Sequence, residues 1–117
     1  MLSILEKFKV GLAPRKLKKS PDDMVRNALL GKGDDGTKPR TVDHFAVFRN
    51  QLDELSYKTF VQGLGYTLET VSPRFCVAFK KHNSVVGEEF DRELAILRQK
   101  AMELKGYYDG WGCSITK

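Results

Sequence analysis

Thr41-Val42-Asp43-His44-Phe45-Ala46-Val47-Phe48 alternates with a period of two. The spacing places Val42, His44, Ala46 and Phe48 on one face of a strand and Asp43, Phe45 and Val47 on the other. Both faces are substantially apolar, so this strand is expected at the centre of a sheet. The elements on either side of it decide which sheet. Downstream, Asp53 is a candidate cap for a helix running to about Gly63, with Phe60 and Leu64 one turn apart and facing the core. Residues 66–71 read as a second strand, Ser72-Pro73 as a turn, and residues 74–82 as a third strand in which Phe75, Val77 and Phe79 share a face. The longest helix follows at about 86–105, where Phe90, Leu94, Leu97, Ala101 and Leu104 recur at intervals of four, three, four and three. Gly106 suits its C-terminal cap. A last strand at about 108–116 puts Trp111, Cys113 and Ile115 on one face.

Upstream, Ser20 can cap a helix whose first position is Pro21 and whose Asp23 sits where a capping box places its carboxylate. Asp22 and Asp23 also suit the positive end of that helix. Val25, Ala28 and Leu29 form its apolar stripe, and Gly31 ends it. Residues 32–40, with Gly33, Gly36 and Pro39, read as a loop. After the opening helix the order is strand, helix, strand, strand, helix, strand. This order predicts an α+β fold of the ferredoxin-like, split βαβ kind: a four-stranded antiparallel sheet with two helices on one face, plus the N-terminal helix. Right-handed crossovers set the first strand beside both the last and the third. Cys76 and Cys113 then fall on strands separated by the first, too far apart for a disulfide. They show no Cys-x-x-Cys spacing and read as two buried small hydrophobes in a reducing cytoplasm.

A chain of 117 residues is one domain by length. Its net charge of +5 is unevenly spread. Residues 1–20 hold Lys7, Lys9, Arg15, Lys16, Lys18 and Lys19 against Glu6, while the remaining residues balance. The division is therefore a basic N-terminal arm and linker, 1–19, ahead of a neutral domain, 20–117. Leu2, Leu5 and Phe8 recur at helical spacing in residues 1–10, which suits a short amphipathic helix lying on the domain or on a partner. Residues 12–19 read as a linker. The arm contacts phosphates non-specifically or is a solvated terminus. Its apolar run is too short for a secretory signal, and no stretch approaches a membrane span.

Two motifs stand out by composition. The first is Gly106-Tyr107-Tyr108-Asp109-Gly110-Trp111-Gly112-Cys113-Ser114-Ile115, where three glycines are interleaved with two tyrosines and the only tryptophan. Either the glycines permit a bulge where the strand passes beneath Trp111, or Tyr108, Asp109 and Trp111 form part of a recognition surface. The second is Gly33-Asp34-Asp35-Gly36, followed by Pro39-Arg40 and Val42-Asp43-His44-Phe45.

The run Tyr108-Asp109-Gly110-Trp111-Gly112, the acidic glycine turn and the segment Gly63-Leu64-Gly65-Tyr66 together resemble the regulator of ribonuclease activity B family. The similarity covers residues 21–117. The resemblance implies a bacterial, cytoplasmic, non-catalytic protein that binds ribonuclease E and restrains RNA decay by docking. The partner-binding candidates are Asp34, Asp35, Tyr108, Asp109, Gly110, Trp111 and Gly112, with the helix-free face of the sheet as a further surface. One departure is charge: founding members of the family are strongly acidic with an acidic C-terminal tail, and this chain carries a basic arm in front.

An enzyme is hard to assemble from the remaining residues. His44 and His82 lack any metal-ligand spacing on a helix, and His44 either faces the helix-free side of the sheet or packs in the core. Gly31-x-Gly33 lacks the third glycine and the flanking strand and helix of a nucleotide loop. Asp34-Asp35 lacks the ligand pattern of a calcium loop. No cofactor and no metal are expected. The alternative is a small RNA-binding module, using Phe45 or Phe48, Phe75 and Phe79 as stacking aromatics with Lys80, Lys81 and the arm as phosphate contacts. Against it, the third strand lacks the basic-glycine-aromatic pattern of the RNA recognition motif.

Overall fold

In the computed structural model, which describes residues 20–70 and 72–116, the described residues form seven elements in order. They are α1 (Pro21–Leu30), β1 (Arg40–Val47), α2 (Gln51–Gly63), β2 (Thr67–Leu68), β3 (Cys76–Asn83), α3 (Glu88–Glu103) and β4 (Tyr107–Cys113). The basic arm and linker, and the end of the expected second strand, lie outside the described residues. The strands make one open antiparallel sheet in the order β2-β3-β1-β4. β1 therefore sits between the third and last strands, as its two apolar faces and the crossover rule require. Cys76 and Cys113 stay apart as thiols on the strands to either side of it.

Val42, His44 and Ala46 share their side of the sheet with Val77 and Phe79 of β3 and Trp111 and Cys113 of β4. All three helices bury their apolar residues there. Tyr57 and Val61 of α2 meet Leu97 and Ala101 of α3 over Ala46, Val77 and Phe79. Val25 and Leu29 of α1 meet Phe90 and Leu94 of α3 over Val42 and Trp111. On α2 the deepest residues are Tyr57 and Val61, with the expected Phe60 and Leu64 half-buried at the rim. His44 takes the core position of its two expected alternatives.

The helix starts follow local chemistry. Ser20 Oγ accepts a hydrogen bond from the Asp23 amide at 3.2 Å, with Pro21 in the first turn. The cap of α2 is Asn50, and not Asp53: Asn50 Oδ1 accepts from the Asp53 amide at 2.9 Å, so Asp53 occupies the third helical position. The exposed Leu52 interrupts the apolar stripe and hides this start in the sequence. α3 has glycine, Gly87, at its cap with no side-chain bond, and instead gathers Glu88, Glu89 and Asp91 in its positive first turn.

All three helices end in the same paired backbone bonds, in which two successive amides return to carbonyls of the last turn. The pairs are Gly33→Leu30 and Asp34→Leu29, then Gly65→Gln62 and Tyr66→Val61, then Lys105→Met102 and Gly106→Ala101. The left-handed residue of each pair is Gly33 at φ 84°, Gly65 at φ 93° and Lys105 at φ 59°. Gly31, the expected stop of α1, is itself right-handed, and the reversal falls two residues later. Gly106 likewise is not the left-handed cap of α3. It is glycine because a Cβ there would lie 2.4 Å from both Phe48 Cδ1 and the Val47 carbonyl oxygen.

Strand boundaries also differ from expectation. β4 ends at Cys113, so Ile115 lies beyond the strand, exposed, and does not share the face of Trp111 and Cys113. β2 keeps only two residues, because it is an edge strand with a single neighbour and leaves the ladder after Leu68 pairs with Phe79. Phe75 does not share a face with Val77 and Phe79. Its φ of 63° belongs to the turn, and β3 begins at Cys76. In β4 a bulge appears: Ala46 pairs with Tyr108 but Phe45 with Gly110, so Asp109 is the additional residue. Gly110, at φ 141°, supplies the backbone freedom this needs.

Lys105 is the one side chain held in a left-handed cap position otherwise given to glycine. Lys105→Gly is expected to stabilise the fold by about 1 kcal/mol, the lost steric penalty being larger than the extra freedom of the unfolded chain. Equilibrium urea unfolding checks this, a lower midpoint being the contrary result.

Candidate functional site

The closing motif is fixed from beneath by one carboxylate. The period of β4 turns Trp111 toward the helices, where its ring is 1% exposed and stands edge-on to Phe90 at 5.0 Å. Its Nε1 donates to Asp22 Oδ1 at 2.8 Å. Arg98 of α3 donates to both oxygens of the same carboxylate, at 2.9 and 2.7 Å, in a bidentate pair. The Arg98 guanidinium also lies 5.2 Å from the centre of the Tyr108 ring. The Tyr108 hydroxyl meets His44 Nδ1 at 2.6 Å. Burial pushes the Tyr108 hydroxyl pKa well up and His44 down to about 3, so both are neutral at physiological pH. His44 stacks on Phe79 at 5.1 Å and meets Tyr66 edge-on at 5.3 Å.

The acidic turn is built around a second carboxylate. The cap that ends α1 at Gly33 swings Asp34 inward, where it is 2% exposed. Its oxygens accept from Arg40 NH1 and NH2, the latter at 2.9 Å, from the Gly36 amide at 2.9 Å and from the Thr116 amide at 2.8 Å. The guanidinium holds the Asp34 carboxyl far below the usual carboxylate range, and Asp34 in turn raises Arg40. Four donors leave this carboxylate no lone pair for a cation, so the pair Asp34-Asp35 is a structural turn. Asp35 is exposed and accepts from the Thr37 hydroxyl and amide, which lower its pKa.

The sequence candidates thus separate by depth. Asp34, Trp111, Gly110 and Gly112 are buried, Tyr108 and Asp109 are half-buried, and Asp35 is at the surface. The two motifs are not one site. Arg40 and the acidic turn lie at one end of β1 and Asp109 beside Phe45, about 17 Å apart at the usual strand rise. Asp22 was legible only as a helix-end charge, and nothing in the local sequence points to its partners Trp111 and Arg98. The aromatic set weighed for base stacking is also dispersed. Phe48 and Phe79 are in the helix-side core, Phe45 is on the opposite face, and Phe75 lies in a turn under the Arg74 guanidinium.

Among the described residues no group of three or more His, Cys, Asp or Glu could hold a metal ion, and no helix is long and apolar enough to cross a membrane. A groove of about 430 Å³ between α2 and α3 is lined by Phe60, Ala95 and Ile96 with Arg92, Lys100 and Glu103 at its rim. Leu52 is 73% exposed on the first turn of α2. A second cleft of about 440 Å³ is lined by Glu54, Lys58, Glu69 and Arg74 beside Phe75.

Two outcomes follow for stability. Asp34→Ala strands Arg40 in the interior and should cost about 3–5 kcal/mol; Asp22→Ala, which removes charge-assisted bonds to Arg98 and Trp111, about 2–3 kcal/mol. Asp35→Ala should leave the melting midpoint nearly unchanged, and thermal melts of the three variants make the comparison. His44 titrates near 6.5 when unfolded and about 3 when folded. Between those values the unfolded chain binds the extra proton, so stability falls as the pH is lowered through this window, by up to ~1.4 kcal/mol per pH unit. Urea unfolding from neutral pH downward should show this slope, and His44→Gln should flatten it.

Comparison with known proteins bears on what such a fold is for. No curated protein matches the chain. A family model, described as regulator of ribonuclease activity B, matches residues 21–113, from the first residue of α1 to the last of β4. The match spans the three helices, the four strands and both carboxylate-centred motifs, and the chain belongs to the regulator of ribonuclease activity B family.

Proposed function

We propose that this protein is a non-catalytic regulator that binds ribonuclease E, or the RNA-degrading assembly built on it, in a bacterial cytoplasm and lowers its activity. The observation that carries the reading is the family match over the whole α1 to β4 fold. The site geometry agrees with docking. The Asp22 carboxylate is committed to Arg98 and Trp111 and the Asp34 carboxylate to Arg40, contacts that hold secondary structure in place, and the surface offers apolar side chains and single charges. Asp35 and Asp109, with the exposed ring of Tyr107, supply the partner contacts of the two motifs. Asp34, Tyr108, Gly110, Trp111 and Gly112 are the scaffold that aims them.

Calorimetric titration into ribonuclease E, full length and without its non-catalytic region, tests the reading at low and high salt. Saturable binding that survives salt and needs that region is expected. Asp35→Lys should weaken it tenfold or more without moving the thermal melt, and Asp109→Lys should weaken it likewise. No binding to either form would overturn the assignment of this partner. Binding to RNA that collapses with salt and with removal of residues 1–19 would replace it with the RNA-binding alternative.

A further inference from the structure

α2 and α3 cover the sheet with their apolar stripes, yet the side they turn outward is not polar throughout. Leu52 and Leu55 of α2 are 73% and 49% exposed, and Ile96 of α3 is 38% exposed. Phe60, Ala95 and Ile96 line the groove between the two helices. Exposed aliphatic side chains gathered about one groove mark a contact surface, where single ones would need no explanation. The charges along the groove are ordered by position on α3. Arg92, in its first half, has no hydrogen-bond or ion-pair partner among the described residues. Glu103, at its end, has only a loose 3.6 Å contact with Lys100 and a 3.3 Å bond from Gln99. Lys100 is itself engaged with the Phe60 ring, 5.3 Å from its centre. One end of the groove therefore carries a free cation, and the other a carboxylate that its neighbours satisfy poorly.

We propose that this face binds a second copy of the chain about a two-fold axis that crosses α3 between Leu97 and Arg98. A two-fold contact is one patch meeting itself, so each feature needs its complement at the symmetry-related position. The groove side of α3 meets that requirement. Arg92 and Glu103 are equally far from the axis on either side of it, as are Ala95 and Lys100, and Ile96 and Gln99. With the axis lying across the helices, α3 packs antiparallel on its own copy. Arg92 of each protomer then faces Glu103 of the other, which makes two ion pairs. Ile96 meets the aliphatic stem of Gln99 across the axis, and the small Ala95 leaves room for Lys100. Arg92 and Glu103 each lie about 8 Å along the helix from the axis. Packed helices are about 8–10 Å apart, a gap that an arginine and a glutamate side chain bridge together. Like charges stay about 16 Å apart along the helices. A foreign partner of one sign would be repelled at one end of the groove; a second copy is repelled at neither. The same axis carries Leu52 and Leu55 toward α2 of the other protomer and out of water. The 16 residues of α3 are about 24 Å long, and two helix widths are about 20 Å. Each copy therefore contributes about 480 Å², which puts the total near the lower bound of about 1,000 Å² for a specific interface. Such a dimer forms and separates with concentration. It stands whether or not ribonuclease E is the partner of the monomer.

Sedimentation velocity of the full chain over a dilution series from about 1 mM to about 1 μM reads the equilibrium. A transition from dimer to monomer is expected within that range. Arg92→Glu and Glu103→Arg each set like charges opposite one another, and each should raise the dissociation constant about tenfold or more. Arg92→Glu/Glu103→Arg exchanges the two signs and should bring it back to within about threefold of the unaltered chain. Circular dichroism at the lowest concentration, where every variant is monomeric, should be the same for all four proteins, since both positions are exposed. Monomer throughout for the unaltered chain would overturn the proposal. So would a dimer that neither single change weakens, because its contact would lie on another surface. A double variant no tighter than the single ones would also overturn it, because Arg92 would then not face Glu103.

Discussion

Asp22 holds the architecture at its weakest seam. α1 is short and sends only Val25 and Leu29 into the core, so apolar burial alone gives it little purchase on the sheet. The carboxylate at its second position takes an indole N–H from β4 and a bidentate guanidinium from α3, and thereby fixes three elements with one group. Charge-assisted bonds of this kind gain strength where water is scarce, and lose more than they gave if a single partner is removed. Arg98 extends the chain of contacts to Tyr108, and Tyr108 extends it to His44 at the centre of the sheet. The position of α1 then determines where its C-terminal cap releases the chain, and so where Asp34 meets Arg40.

The same logic explains why much of the two motifs is buried. Trp111, its flanking glycines and the acidic turn solve a folding problem: a last strand must cross a helix start and then be tied down at its far end. Asp22 does the first and Asp34 the second, through the Thr116 amide.

Much of this was readable in the residues. The alternation of Thr41 to Phe48 placed β1 at the centre, and the recurrence of Phe90, Leu94, Leu97 and Ala101 placed α3 on the sheet, because both signals are periodic and extend over many residues. Boundaries were less legible where two local rules compete. Asn50 and Asp53 are both good cap residues, and only the exposed side of Leu52 decides between them. Gly106 looked like a left-handed cap, but packing against Phe48 is what demands it, while Lys105 takes the strained conformation. The acidic turn looked like a surface patch because adjacent carboxylates usually are one; that Asp34 turns inward depends on Arg40, six residues away, and on the far end of β4. Contacts such as Asp22 with Trp111 join positions nearly at opposite ends of the chain, and no window of sequence contains both.

The sheet's outer margins carry a consequence for how anything can bind. β2 offers two residues of unpaired backbone, about 7 Å at the usual rise. The outer rim of β4 is longer, but the bulge at Asp109 breaks its ladder into two short runs. An extended peptide adding itself as a fifth strand would find no straight row of amides and carbonyls to zip along, on either side. Identical molecules crowded together meet the same obstacle, which lowers the risk of stacking into fibrils. Recognition by this protein has to be read through side chains, whose identity can change without disturbing the backbone that carries them.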